Sequence, residues 1–257
     1  MTEPTIDQQL TVLRRSSELL RTLVEPLDDR ALGSRAYPAA WTIADVVSHI
    51  GSGATIVHRR VDDSLAGHAT PDDFAPTTWD EWNAKSDRQK ADDGLAADKT
   101  YLGRLEGLDT AERSRLRLEM GPMILDAATL VGLRLNEHAL HTWDIHVVID
   151  PTATLPPDAT ALLIDRLELI ARYTGKASEP TRDIAVHATD PDRAFVIHIT
   201  SDGVVLAPEA GPATTGVVLP AEAFVRLVYG RLDPAHRPRV DGDPAVLDKL
   251  RAVFPGP

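Results

Sequence analysis

The sequence predicts an α+β protein with two domains: an N-terminal four-helix bundle over residues 1–150, and a small α+β domain with a mainly antiparallel sheet over residues 151–257. Apolar residues recur at the 3.6-residue spacing of helices through most of the first half. After a hinge rich in proline and threonine, Pro151–Pro157, the pattern changes to an alternation with a period of two, which is typical of strands. A length of 257 residues fits one large domain or two ordinary ones, and the hinge favours two.

The first two helices are predicted from apolar spacing and a cap. The first covers residues 6–25. The second begins after Thr42, because Asp45 stands three residues later and can complete a capping box. Gly51 and Gly53 weaken this helix by about 1 kcal/mol each relative to alanine, so they mark either close helix packing or room for a ligand.

The third helix is predicted from a second capping box, and the fourth from an apolar stripe that ends before a proline. Thr78 and Glu81 have the spacing of a second capping box, which predicts a third helix from this point toward Gly107. The fourth helix is predicted to run from near Met123 to about Val148, where Asp-Pro ends it. These two helices complete the predicted bundle.

The second half is predicted to begin with a helix over residues 158–174 and to continue with strands. A Ser-Asp-Gly turn separates two of the strands and favours a hairpin. The predicted strands are residues 183–188, 194–200, 204–206 and 214–219, and two helices follow them, one opened by Pro220 and one at residues 244–253.

Composition excludes several classes of function. The formal net charge is −12 and is spread along the chain, whereas a nucleic-acid-binding surface needs a basic stripe. Residues Met1–Leu10 lack the features of a signal peptide, and no apolar run approaches the roughly 18–20 residues of a membrane span. We therefore expect a soluble cytoplasmic protein with no nucleic-acid or membrane partner. A monomer is the default expectation, since the composition does not address the oligomeric state. Because there is no cysteine, any metal must be bound by His, Asp or Glu.

Glu137, His141 and Asp144 lie on one face of the predicted fourth helix. A carboxylate and an imidazole four residues apart stack one turn above the other, so both can bind the same cation. One more histidine would complete a three-ligand site with an open position, the arrangement of catalytic zinc, and His49 is the best candidate. On spacing alone this signal is weak, because an i, i+4 Glu–His pair can be a simple hydrogen bond, and a single histidine such as His49 on an apolar helix face is more often a core residue than a ligand.

Other assignments at this site remain open on the residues alone. Asp144 can orient His141 by accepting its second N–H, or it can form a salt bridge with an arginine such as Arg134 or Arg172. His58 adjoins two arginines, as expected at a solvated helix end, and His138 lies off the shared face. The sequence contains no nucleophile elbow, Walker loop or dinucleotide fingerprint.

Two segments around these residues resemble motifs of the mycothiol-dependent maleylpyruvate isomerase family. The segment Trp41-Thr-Ile-Ala-Asp-Val-Val-Ser-His49-Ile resembles the family's second-helix motif, and Arg134-x-x-Glu137-x-x-x-His141-x-x-Asp144 resembles its fourth-helix motif. The family belongs to the broader DinB/YfiT-like group of metal-binding four-helix bundles. The resemblance covers residues 6–150, and the second half resembles the small sterol-carrier-like α+β domain that follows the bundle in these isomerases.

The resemblance implies a ligand set and a thiol. It implies that His49, Glu137 and His141 bind a divalent metal, with zinc expected, and that the sulfur of mycothiol takes the open position. It also implies an arginine from the second domain directed toward the cleft between the domains. Arg231 stands where the family has a Gly-Arg at a helix end, so it is the candidate for this role. The alternative for Arg231 is an ordinary residue that interacts with the helix macrodipole.

The chemistry leaves three functions to compare. A cation held by two neutral imidazoles and one carboxylate lowers the pKa of a bound thiol, and a thiolate can isomerise an activated double bond or remain attached to an electrophilic carbon. This predicts a mycothiol-dependent isomerase or S-transferase acting on a small electrophile whose carboxylate Arg231 could hold. The alternatives are a hydrolase that uses zinc-bound water, with Asp144 or another carboxylate as base, and a non-enzymatic protein that binds an apolar ligand or a partner.

Overall fold

The structure, a computed structural model, describes residues 4–121, 123–208, 216–236 and 240–256. The chain divides into two compact units, residues 1–153 and residues 154–257. The first is helical and the second is built around a sheet, so the predicted α+β class is confirmed.

The first unit contains, among its described residues, four long helices joined by shorter elements. The bounds are α1 Ile6–Val24, α2 Asp29–Leu32, α3 Ile43–Ala66, α4 Phe74–Asn83, α5 Asp87–Glu106, α6 Thr110–Arg115, β1 Leu118–Met120, β2 Met123–Leu125 and α7 Ala127–Ile149. Helix α3 packs mainly along α5, and α1 packs mainly along α7. Contacts of α1 with α5 and of α3 with α7 join the two pairs into a bundle, as predicted.

The predicted start of α3 is confirmed by its cap. The hydroxyl oxygen of Thr42 accepts a hydrogen bond from the backbone N–H of Asp45 at 3.0 Å, and the Asp45 carboxylate accepts one from the N–H of Thr42 at 3.0 Å. Lys90 of α5 donates to the other oxygen of the same carboxylate at 2.7 Å. The first turn of α3 is therefore fixed both locally and against α5.

The predicted start of the third helix is wrong. Thr78 lies inside α4, where its hydroxyl donates to a carbonyl one turn earlier, so it does not form a capping box with Glu81. The capping box belongs to Ser86 and Gln89, which open α5. Both pairs have the sequence signature of a box, and spacing alone does not decide which of them forms.

The predicted start of the fourth helix is also wrong. Met123 belongs to a short hairpin, in which β1 pairs antiparallel with β2 and Gly121 takes a positive φ of 58°. The helix starts after Asp126, whose side chain accepts a hydrogen bond from the N–H of Thr129 at 2.8 Å. A strand of three residues gives almost no period-two signal, so the sequence pattern places Met123–Leu125 of β2 in the first turn of the helix.

The two glycines of α3 have different surroundings. A Cβ at Gly51 would lie 2.5 Å from the Trp82 ring and 2.6 Å from the Cα of Gly94 on α5. A Cβ at Gly53 would meet Arg134 at 3.9 Å, an ordinary contact. Gly51 therefore marks close packing of α3 on α5, which is the first of the two interpretations predicted for these glycines. Gly53 does not mark close packing.

The second unit contains a sheet of the strand order β5-β4-β3-β6-β7 with helices on one face. Its bounds are α8 Pro157–Leu163, a 3₁₀ turn Ile164–Arg166, α9 Leu167–Thr174, β3 Arg182–Thr189, β4 Arg193–Ile199, β5 Val204–Pro208, β6 Gly216–Pro220, α10 Ala221–Val228, β7 Asp241–Gly242 and α11 Pro244–Val253. Only the β3–β6 pair is parallel among the described strands, which confirms a mainly antiparallel sheet.

The second unit differs from the prediction in the bounds of its elements and in the short strand β7, which the sequence does not predict. The single helix predicted over residues 158–174 is interrupted by the 3₁₀ turn, so it forms α8 and α9. The strand predicted over residues 214–219 is observed as β6, and its first two predicted residues lie outside the described residues. Within the described parts of both units, none of the helices combines the length and apolar character that crossing a bilayer would require.

We predict that Gly51→Ala destabilises the protein by about 1–3 kcal/mol, because the added methyl group overlaps Trp82 and the backbone of Gly94. Gly53→Ala is the matched control. It introduces the same methyl group into the same helix without a clash, so it should raise the free energy of unfolding by about 0.5–1 kcal/mol. Urea unfolding followed by circular dichroism measures both changes. Equal stabilities for the two variants would contradict the close packing of α3 on α5.

Candidate metal centre

The three predicted ligands come from two helices of the bundle. His49 lies on α3, and Glu137 and His141 lie one turn apart on α7. His49 Nε2 is 3.3 Å from Glu137 Oε2, and His141 Nε2 is 3.6 Å from the same oxygen. Taken together, the candidate ligand atoms of all three side chains lie within 4.8 Å of one another. The structure thus brings His49 next to a pair of residues that begins 88 positions further along the chain.

The two distances to Glu137 fit a small divalent cation. Metal–ligand bonds of about 2.0–2.2 Å in a tetrahedral site separate neighbouring ligand atoms by about 3.3–3.6 Å. The two measured distances to Glu137 fall in this range. Two imidazole nitrogens and one carboxylate oxygen form a donor set that zinc accepts. The side chains of His49 and Glu137 are 43% and 56% exposed, so the site is reachable from outside.

Asp144 determines how His141 presents its ring. The Asp144 carboxylate is fully buried, and its Oδ2 lies 2.9 Å from His141 Nδ1. A carboxylate that accepts a hydrogen bond from Nδ1 leaves Nε2 as the ring nitrogen that is turned toward Glu137. Nε2 lies 3.6 Å from Glu137 Oε2. At this place the ring can donate a proton to the carboxylate, or, in its neutral form, bind a cation together with it.

Glu137 is held in its charged form. Removal from water raises the pKa of this carboxyl group, but hydrogen bonds and charges from His141 and His49 lower it by more. The net pKa lies well below its usual range, so the carboxylate is ionised at neutral pH. An ionised carboxylate is the form that binds a metal.

Trp41 forms one wall of the cluster. Its ring centroid lies 5.2 Å from that of His49 and 5.9 Å from that of His141. The two imidazole rings are themselves 4.6 Å apart. The sequence identifies Trp41 only as part of the family motif. Its spacing from His49 and His141 does not predict that it contacts both imidazoles.

The other described histidines lie outside this cluster. His138 is fully buried and contacts Asp98, so it is not a competing ligand. His58 lies 3.4 Å from Asp62 on the same helix. In the second unit, side-chain contacts are made by His187 with Asp192, by His198 with Asp183 and by His236 with Asp233.

The sequence does not predict a buried polar junction that lies beside the cluster. Asp98 of α5 accepts a hydrogen bond from Arg134 at 2.6 Å and one from Ser17 at 2.5 Å, and it lies 3.2 Å from His138 Nε2. Burial raises the pKa of Asp98, but His138 and Arg134 lower it by more, so it stays well below its usual range. Asp98 stands in a highly charged stretch that looks solvated, and no local signal distinguishes it from its exposed neighbours.

Arg231 lies just after α10 in the second unit and is 6% exposed. Its Nη1 donates to the carbonyl of Tyr229 at 3.0 Å, and its backbone N–H donates to the carbonyl of Arg226 at 2.6 Å. Gly230 before it has a φ of 68°, and a Cβ there would lie 2.0 Å from Gly256 Cα. The backbone around Arg231 is therefore tightly constrained within its own unit.

The fold and the cluster define a class: a two-domain protein whose helical bundle carries a His–Glu–His cluster of metal-ligand type and is followed by an α+β unit. Two family models match the chain, the mycothiol maleylpyruvate isomerase N-terminal domain over residues 13–146 and the C-terminal domain of the same family over residues 163–249. The chain belongs to the mycothiol maleylpyruvate isomerase family, a family of enzymes.

Solved structures support the fold. A crystal structure of a mycothiol-dependent maleylpyruvate isomerase matches with a TM-score of 0.70 and 14% sequence identity, covering 95% of this chain and 97% of the other. A crystal structure of a histidine-to-alanine mutant of such an isomerase matches with the same TM-score, 13% identity and the same coverage. No curated protein sequence matches the chain.

Proposed function

We propose that this protein is a metal-dependent enzyme that activates a low-molecular-weight thiol, mycothiol, against a small electrophile. The observation that carries the proposal is the cluster of His49, Glu137 and His141, whose ligand atoms lie within 4.8 Å of one another on an accessible face. The chain has no cysteine, so it supplies no sulfur nucleophile of its own, and the thiol arrives as a co-substrate.

A divalent cation, with zinc the expected ion, supplies a positive charge that favours the thiolate form of a thiol near neutral pH. The chain's own residues prepare the site for this charge. Asp144 holds the His141 ring in one tautomer and orientation, and Trp41 lies against both imidazoles. Glu137 contributes a full negative charge at neutral pH, because its pKa is lowered.

The thiolate acts as a nucleophile in either of two reactions, isomerisation or S-transfer. In isomerisation, the sulfur forms a C–S bond to one carbon of an activated cis double bond, and the electron pair moves onto the conjugated carbonyl. Rotation about the resulting single bond and loss of the same thiolate give the trans isomer. Maleylpyruvate, the substrate in the name of the family, has such a double bond. In S-transfer the sulfur displaces a leaving group and stays attached.

Isomerase or S-transferase chemistry is preferred over hydrolysis. A hydrolase needs a base that reaches a water molecule at the open face of the site. Asp144 is the carboxylate named for this role, with another carboxylate as the alternative, but Asp144 is fully buried and its Oδ2 is hydrogen-bonded to His141. Its position therefore suits orientation of the ring better than proton abstraction from water.

We further propose that Arg231 holds a carboxylate of the substrate. This role follows the Gly-Arg pattern of the family, and the constrained backbone around Gly230 would keep a guanidinium in a fixed place. A guanidinium binds a carboxylate through two parallel hydrogen bonds, which fixes the orientation of the substrate as well as its affinity.

We predict that His49→Ala and Glu137→Gln each weaken zinc binding by more than about 100-fold, since losing a ligand costs more than losing its supporting partner. For the unsubstituted protein, zinc at 100 times its dissociation constant should raise the free energy of unfolding by about 2.7 kcal/mol. Both variants should lose this stabilisation, whereas His58→Ala, the control on the same helix, should keep it. Chelator competition and thermal unfolding with and without zinc measure these effects.

Two results would contradict the assignment of a metal centre to these residues. The cluster is not a metal centre if the unsubstituted protein, stripped with a chelator and titrated again, binds no zinc. It is assigned to the wrong residues if His49→Ala binds zinc as the unsubstituted protein does.

We predict that Arg231→Met raises the KM for a carboxylate-bearing electrophile by about tenfold to hundredfold, the loss expected for a hydrogen-bonded charge worth about 1.5–3 kcal/mol. Arg231→Lys should lose part of this effect, because lysine keeps the charge but not the two-pronged contact. Arg172→Met is the control, since Arg172 is 61% exposed and pairs with Glu168 on its own helix. Steady-state kinetics with zinc-loaded protein measure the change. An unaltered kcat/KM for Arg231→Met with zinc binding retained would remove Arg231 from the site.

A further inference from the structure

The proposed ligands are divided between two helix pairs. His49 lies on α3, which packs mainly along α5, and Glu137 and His141 lie on α7, which packs mainly along α1. The separation between Glu137 and His141 is set by the geometry of one helix. Their distance from His49 is not set by a single helix, because it depends on how one helix pair is positioned against the other.

All four long helices meet at the buried polar junction, which comprises Asp98, Arg134, His138, Thr142, Ser16, Ser17 and the carbonyl of Ile50. Ser16 and Ser17 belong to α1, Ile50 to α3, Asp98 to α5, and the other three to α7. Ser16 Oγ lies 2.8 Å from His138 Nδ1, and Thr142 Oγ1 lies 3.2 Å from the same nitrogen. Both of these contacts lie within the α1–α7 pair. The bonds of Asp98 to Ser17, Arg134 and His138 connect that pair to α5. The bond of Arg134 to the Ile50 carbonyl connects it to α3.

Arg134 is the member of the junction that reaches α3. Its Nη1 and Nη2 each donate to the carbonyl of Ile50 at 3.3 Å, and Nη2 also donates to Asp98 at 2.6 Å. The side chains of Arg134 and Asp98 are only 9% and 4% exposed. In such a setting a charge-assisted pair is strong and directional, and loss of either partner leaves a buried charge without compensation.

The attachment points adjoin the proposed ligands along the chain. Ile50 is the residue after His49, so a bond to its carbonyl fixes the turn of α3 that carries that histidine. Arg134 stands one turn before Glu137, on the helix that also carries His141. One guanidinium therefore connects the backbone beside one ligand to the helix that carries the other two.

We propose that Arg134 is a positioning residue that sets the distance between His49 and the Glu137–His141 pair, and through this distance the affinity and geometry of the bound cation. This inference rests on the proposed function of the cluster as a metal centre. Arg134 does not contact the cation in this account. It acts through its bonds to Ile50 and Asp98. A lysine at position 134 could pair with Asp98 but could not donate two hydrogen bonds to the Ile50 carbonyl oxygen from one rigid plane.

The test compares Arg134→Lys and Arg134→Met with Leu13→Ala. Leu13 is a buried α1 residue that is not a member of the junction, so its truncation destabilises the bundle without changing these hydrogen bonds. Zinc affinity is measured by chelator competition on folded protein, and ligand geometry is measured by the visible absorption of the Co²⁺-loaded protein.

Both Arg134 variants should raise the zinc dissociation constant by about tenfold to hundredfold, as is usual for residues that orient ligands, and should change the Co²⁺ spectrum. Arg134→Lys should show the smaller change. Leu13→Ala should lower the melting temperature and leave both readouts unaltered, which separates positioning from general stability.

The inference is overturned if a folded Arg134 variant has the dissociation constant and the Co²⁺ spectrum of the unsubstituted protein. Arg134→Lys keeps the buried positive charge, so it decides the matter if Arg134→Met does not fold. An equal loss of affinity in Leu13→Ala would also overturn it, since the effect would then come from stability alone. If the unsubstituted protein itself binds no zinc, the proposed function fails first, and that outcome is distinct from the other two.

Discussion

The arrangement of the bundle depends on one buried carboxylate. Asp98 is ionised in the interior, since its pKa is held well below its usual range by His138 and Arg134. A charge in this position is tolerated only if it is fully paired, so the helices that supply its partners must approach in one way. Apolar packing alone would allow the helices to slide or rotate against one another with a small loss of stability. Directional hydrogen bonds to a buried charge do not allow this, because each shift would leave the charge unpaired.

Helix α7 consequently carries two polar faces with different tasks. The inner face, with Arg134 and His138, contacts Asp98 in the interior and joins the bundle. The outer face, with Glu137 and His141, is directed toward His49 at an accessible site. The two faces are one residue apart in the sequence at Glu137 and His138, so a rotation of the helix that disturbed one would disturb the other.

The ligand cluster could be predicted from the sequence because its signal is local. Glu137 and His141 have the i, i+4 spacing that places side chains on one helix face, and the Trp41–His49 motif supplied the third residue. The junction at Asp98 could not be predicted in this way. Its bonds join residues 36, 40 and 81 positions apart, and the periodicity of a helix does not say which helix it packs against.

The mistaken boundaries have a similar explanation. The Ser/Thr-x-x-Glu/Gln signature occurs at Thr78 and again at Ser86, and only Ser86 forms the cap. The hairpin at β1 and β2 is too short to show an alternation, so the apolar pattern extends the predicted α7 back over β2. By contrast, the cap at Thr42 and the end of α7 before Pro151 were predicted well, because each is encoded by a few adjacent residues.

Titration of Co²⁺-loaded protein with mycothiol, with absorption and proton release recorded together, tests whether the cluster holds a cation that activates an external thiol. We expect a new sulfur-to-cobalt absorption band and the release of about one proton per thiol bound, because the thiol must lose its proton to act as a ligand and nucleophile. A protein that binds Co²⁺ at full stoichiometry but shows neither the band nor the proton release with saturating mycothiol would contradict this role of the cluster.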